Sequence, residues 1–102
     1  MPALHVVCRS PQEAQALTQC LTRAGEGDVV LLSENGVYAA LVDSVASAPI
    51  RAASPQRVVY VLMPDCEARG ILAEEILPGV AAVDYDGFVD LAVRFPIIHC
   101  WS

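Results

Sequence analysis

Five short apolar runs, each set off from the next by helical or turn-forming residues, constrain this chain more than any other feature. They are Leu4–Cys8, Val29–Leu32, Arg57–Met63, Val80–Val83 and Ile97–Cys100. They are solid rather than alternating, and rich in Val and Ile. A strand that reads as a solid apolar run is buried on both faces, which is the habit of a parallel sheet. Between the first two runs, Ser10-Pro11-Gln12-Glu13 reads as a helix start. Ser10 serves as N-cap, Pro11 suits the first helical position, and Glu13 can close a capping box. Ala14, Leu17, Leu21 and Ala24 then form one apolar stripe, and Gly25 and Gly27 end the helix. Val37–Leu41 predicts a short helix, because it does not alternate and contains two alanines. The Asn35-Gly36 pair before it would otherwise favour a hairpin. Residues 43–56 read as a surface loop or weak helix. Pro64-Asp65 is expected to stop the third strand, with Asp65 capping a short helix Cys66–Arg69 ended by Gly70. Asp84 or Asp86 is expected to cap a last helix that carries Phe88, Ala92 and Phe95, with Pro96 ending it. Strands thus alternate with helices throughout. The fold class is α/β, one domain over residues 1–102, with a parallel sheet covered on both faces.

Such a chain is greasier than one small domain requires. Of its 102 residues, 55% are hydrophobic and 18% charged. The longest unbroken apolar runs, Val37–Val42 and Val58–Met63, have six residues each. A spanning helix needs about 20. The first residues lack a basic head, a long apolar stretch and a small-residue cleavage site. A cytoplasmic protein without a membrane segment is therefore expected, and the surplus apolar surface calls for another explanation. The charge is −6, from 12 acidic residues against six arginines. These arginines are scattered, whereas nucleic-acid binding draws on clustered positive charge. Direct contact with nucleic acid is not expected.

Few patterns carry chemistry. No Gly-x-Gly-x-x-Gly, P-loop or Gly-x-Ser-x-Gly occurs, so nucleotide, flavin and serine-hydrolase sites lack support. His5 with Cys8, and His99 with Cys100, would be poor metal pairs, because strand neighbours point to opposite faces. No metal or cofactor is expected. The four cysteines, Cys8, Cys20, Cys66 and Cys100, show no Cys-x-x-Cys spacing, and four reduced thiols are expected. Cys8 sits beside Arg9, before a helix start, and positive charge and helix N-termini favour thiolates. Packing as a small hydrophobe is its equally weighted alternative. Cys66 is flanked by Asp65 and Glu67, which oppose a thiolate. Cys100 is expected to pack. Cys20 lies late in the first helix, flanking its buried stripe, where partial exposure is expected.

Several segments together point to a family. They are Leu4-His5-Val6-Val7 leading to Arg9-Ser10-Pro11, then Cys20-Leu21, and Gly27-Asp28 before Leu31-Leu32. Asn35-Gly36-Val37-Tyr38-Ala39-Ala40-Leu41 follows, then Asp65 with Ala68-Arg69-Gly70, Val83 through Leu91, and Trp101. In this order and spacing the chain resembles the TusB/DsrH family of sulfur-relay subunits, almost end to end. The resemblance implies a three-layer α/β/α domain with a mostly parallel five-stranded sheet. It implies a cytoplasmic 2:2:2 heterohexamer with TusC/DsrF-like and TusD/DsrE-like subunits. That complex would pass persulfide sulfur from a TusA-type donor to a TusE/DsrC-type acceptor. It would serve wobble 2-thiouridine formation in tRNA, or dissimilatory sulfur oxidation. The principal sulfur-carrying cysteine would lie on the TusD/DsrE-like partner, and Cys20 matches a cysteine of many members. Three features depart from the pattern: Cys8-Arg9 before Ser-Pro, Gln12 after it, and His99-Cys100 before Trp101.

Three readings follow. In the first, the chain is a largely structural subunit with Cys20 as auxiliary persulfide carrier. In the second, it is a self-sufficient thiol enzyme using Cys8. In the third, it is a non-catalytic assembly module.

Overall fold

The computed structural model describes residues 2–9, 16–42, 48, 50 and 58–101. Five parallel strands form one sheet in the order β4-β3-β2-β1-β5. They are β1 (Ala3–Val7), β2 (Val29–Leu32), β3 (Val58–Leu62), β4 (Val80–Val83) and β5 (Ile97–Trp101). The helices are α1 (Ala16–Arg23), α2 (Met63–Ala68) and α3 (Tyr85–Arg94), with 3-10 turns at Glu34–Ala40 and Ala73–Glu75. Each expected strand is present to within two residues at either end, and the alternating α/β order holds. Ser10, Pro11, Glu13 and Ala14 lie outside the described residues. So does most of the stretch 43–56, in which Ala48 and Ile50 are helical and Ile50 is buried.

Two apolar layers sandwich the middle of the sheet. On one face Val7, Val30, Leu32, Val59 and Val61 pack with Leu17 and Cys20 of α1 and with Val37, Ala39 and Ala40. On the other, Leu4, Val6, Leu31 and Leu62 pack beneath Leu91 of α3, with Phe88 and Phe95 alongside. All residues of β1 and β2 are buried. Coverage on both faces, expected for the whole sheet, holds only at its centre. Ile97 through Cys100 of edge strand β5 are exposed, as are both alanines of edge strand β4. An edge strand has one neighbour, and the helices cluster over the central strands.

Local chemistry differs from the sequence expectation at three places. The short helix expected over Val37–Leu41 is a 3-10 turn that starts earlier and takes in Asn35-Gly36. The pair is there for close approach, since a Cβ on Gly36 would collide with the Val7 carbonyl oxygen. Helix α2 starts at Met63, directly after β3, with Pro64 in its first turn. Proline suits that turn because its missing N–H is not needed there. Asp65 therefore does not cap α2; its Oδ2 instead accepts from the Glu34 N–H, the first of the 3-10 turn Glu34–Ala40, at 2.6 Å. In α3 the buried residue is Leu91, with Phe88, Ala92 and Phe95 only half-buried. Asp84 caps this helix as expected, its Oδ1 accepting from the Gly87 N–H at 2.8 Å.

Gly36→Ala tests the close approach. The obstructing atoms are backbone and cannot move aside as a side chain can. Urea denaturation is expected to show a loss of about 1–3 kcal/mol, the usual range for overpacking.

Candidate functional site

The structure disperses the four thiols. Cys20 is fully buried in α1, within the apolar layer that also holds Val7 and Val30. Its expected partial exposure is thus overturned, because α1 turns this position into the sheet rather than along its flank. Cys66 is also buried, inside α2 rather than at its start. Burial pushes its thiol up, aided by Asp65 and opposed by Arg69. Cys100, expected to pack, is exposed on the edge strand. Cys8 is half-buried just beyond β1, at the carboxyl end of the sheet, where parallel α/β folds place ligands. Its N–H donates to the Trp101 carbonyl at 3.3 Å, and its Sγ lies 3.4 Å from Ser33 Oγ.

One way to activate a nucleophilic cysteine is a base within hydrogen-bond reach, which a histidine commonly supplies. The two histidines are engaged elsewhere, in a cluster the sequence reading did not anticipate. The β1–β5 register sets His5 opposite His99 and Val7 opposite Trp101. The His5 and His99 rings stack with centroids 5.2 Å apart. The buried His5 makes two short contacts, Nε2 to Asp28 Oδ2 at 2.7 Å and Nδ1 to Trp101 Nε1 at 3.0 Å. An indole N–H can only donate. His5 Nδ1 must therefore accept, which leaves the ring hydrogen on Nε2 to be donated to Asp28. This is one tautomer, held from both sides.

Asp28 accepts more than that one bond. Its Oδ1 takes the Ala3 N–H at 2.8 Å and its Oδ2 takes the Gly25 N–H at 2.9 Å. Burial alone would raise its pKa. The bonds from His5, Gly25 and Ala3 outweigh burial and bring it down to about 2. One carboxylate thus ties the start of β1, the turn after α1 and the middle of β1. Beside it lies a cleft of about 260 Å3 whose walls include Arg23, His99 and Ile97. The polar atoms of His5 and Asp28 are already paired, so the cluster reads as a structural tie. Among the described residues no three His, Cys, Asp or Glu side chains are placed to hold a metal ion.

With this geometry in view, the comparisons with known proteins decide the kinship. The family description "DsrH like protein" matches residues 9–96. The chain belongs to the DsrH family. Its similarity to curated relatives runs nearly the full length of both chains. It is 39% identical over 98 residues to Protein TusB of Pectobacterium parmentieri, covering 96% of this chain and 99% of that one. It is 41% identical over 99 residues to Protein TusB of Erwinia tasmaniensis, with the same coverage. Among solved structures, the YchN protein of E. coli superposes with a TM-score of 0.78, covering 98% of this chain and 99% of that one at 13% identity. MTH1491 from Methanobacterium thermoautotrophicum gives 0.77 at 12% identity, covering 97% of each chain. These two likenesses show the fold alone, and they agree with the parallel sheet of this DsrH-family chain.

Two substitutions test the polar tie. Trp101→Phe keeps an aromatic ring but leaves the buried His5 Nδ1 without its donor. A loss of about 1–3 kcal/mol is expected in chemical denaturation. Asp28→Asn removes the charge whose pKa folding depresses. For such a carboxyl the stabilisation is present above its unfolded value, near 3.8, and disappears as pH falls through about 2. The wild type is expected to exceed the variant by about 2 kcal/mol at neutral pH. The two should converge as the pH approaches 2.

Proposed function

We propose that this chain is a mainly structural subunit of a cytoplasmic heterohexameric sulfurtransferase. The complex would hold two copies each of this chain, a TusC/DsrF-like and a TusD/DsrE-like subunit. It would relay persulfide sulfur from a TusA-type donor to a TusE/DsrC-type acceptor. Membership of the TusB/DsrH family makes the chain a sulfur-relay subunit in kind. The observation that carries the reading is the 39–41% identity to TusB proteins over nearly the whole chain. It favours wobble 2-thiouridine formation over dissimilatory sulfur oxidation.

The geometry supports a structural role. Cys8 meets a serine hydroxyl, while His5 is committed to Asp28 and Trp101. This weighs against a self-sufficient enzyme built on Cys8. Sulfur would be carried principally by a cysteine of the TusD/DsrE-like partner. Its thiolate attacks the outer sulfur of the donor persulfide, and the donor thiolate leaves, with no net oxidation. Cys20 is the auxiliary carrier in this proposal. Because it is buried, α1 must shift within the assembly before sulfur can reach it. That suits an occasional carrier rather than an obligatory one.

Mass spectrometry of the three-chain complex after loading by a TusA-type donor tests both parts. One extra sulfur is expected on the TusD/DsrE-like chain, with a smaller fraction on Cys20. Cys20→Ser should leave the complex assembled and slow transfer several-fold without abolishing it. Sulfur found on Cys8 alone would reverse the assignment. Full 2-thiouridine in the tRNA of cells lacking this chain would exclude the thiolation branch.

A further inference from the structure

Helix α3 is apolar over more of its circumference than the sheet beneath it uses. Phe88, Leu91 and Phe95 face the core. Tyr85, Val89 and Val93 follow one another at four-residue spacing and are 59%, 57% and 80% exposed. At about 100° per residue, the two sets and Ala92 form one continuous apolar arc of about 200°, roughly twice the stripe an ordinary surface helix buries. Asp86, Asp90 and Arg94 are exposed and adjoin the outer stripe at the same spacing, a row with a net negative charge.

The sheet on this side is also incompletely covered. Among the described residues, α3 is the one helix packed against the layer of Leu4, Val6, Val29 and Leu31. Ile98 pairs with Leu4, and Val58 pairs with Val29. Paired residues point to the same face, so Ile98 and Val58 belong to this side, where they are 46% and 53% exposed. Exposed apolar surface therefore lies on the strands flanking the centre as well as on the helix.

We propose that this face, centred on Val89 and Val93, docks a different polypeptide that presents an apolar surface bordered by Arg or Lys. The proposal rests on the reading of the chain as a complex subunit, and adds which face is used and what chemistry meets it. Charge selects the occupant. Asp86 and Asp90 border the stripe on a chain whose net charge is −6. A second copy packing antiparallel on Val89 would bring Asp90 toward its own counterpart, and a row of two carboxylates against the single Arg94 toward a row of the same net sign. Like charges across an interface reject a partner, whereas a basic border is attracted.

The test is co-expression of this chain with its TusC-like and TusD-like partners, followed by purification through a tag on the TusD-like chain. Val89→Asp and Val93→Asp are expected to lower recovery of this chain at least tenfold. Both positions are exposed, so the thermal midpoint of the isolated chain should not move. The double variant Asp86→Lys, Asp90→Lys keeps the apolar stripe and should also weaken recovery, most at low salt. Recovery of all variants at the wild-type level would overturn the proposal while leaving the complex-subunit reading intact. A wild-type chain that fails to co-purify would remove that reading, and the proposal with it. A dimer of the isolated chain in analytical ultracentrifugation, dissolved by Val89→Asp, would give the face to a second copy and overturn the assignment.

Discussion

The structure depends on β1 being paired on both sides and buried on both faces. β2 lies along one edge of it and β5 along the other, and all its residues are buried. The final strand of the chain thus completes the sheet beside the first. Its own side chains contribute little, since Ile97 through Cys100 are exposed. What anchors it is the backbone ladder together with Trp101, whose indole donates to His5. A buried imidazole without partners would cost more than it contributes. Asp28 removes that cost and also receives two backbone N–H groups.

That arrangement separates stability from chemistry. The histidines, residues of a type that can activate a thiol, instead join β1 and β5. The thiols are dispersed between two buried sites, one strand end and one exposed edge. In the role proposed above, this DsrH-family chain holds an assembly together and leaves the sulfur chemistry mainly to a neighbour. The apolar surplus has a place in the same picture. Part of it fills the two layers over the central strands, and part lies uncovered along α3 and its flanking strands.

Much of the fold was legible because solid apolar runs have few uses in a short chain. Val29–Leu32 and Val80–Val83 were read with their bounds unchanged, and of the two cap candidates Asp84 and Asp86 the geometry selects Asp84. Legibility failed where a residue answers to something distant. Asn35-Gly36 looks locally like a hairpin, yet Gly36 is small because the Val7 carbonyl oxygen passes over it. Asp65 looks like a cap, yet it bonds to Glu34 across the fold. Cys20 looked half-open because helical spacing alone leaves the width of a buried stripe undetermined.

By itself, the sequence determined the order of elements, the parallel sheet and the family, since all three follow from local patterning and from motif order along the chain. Tertiary structure alone decided which polar groups meet and which apolar residues stay outside. His5, Asp28 and Trp101 are up to 96 residues apart and meet only through strand register. Tyr85, Val89 and Val93 are as apolar as core residues, and only the limited footprint of α3 on the sheet leaves them exposed. Burial and pairing depend on where every other element packs, and no local pattern contains that.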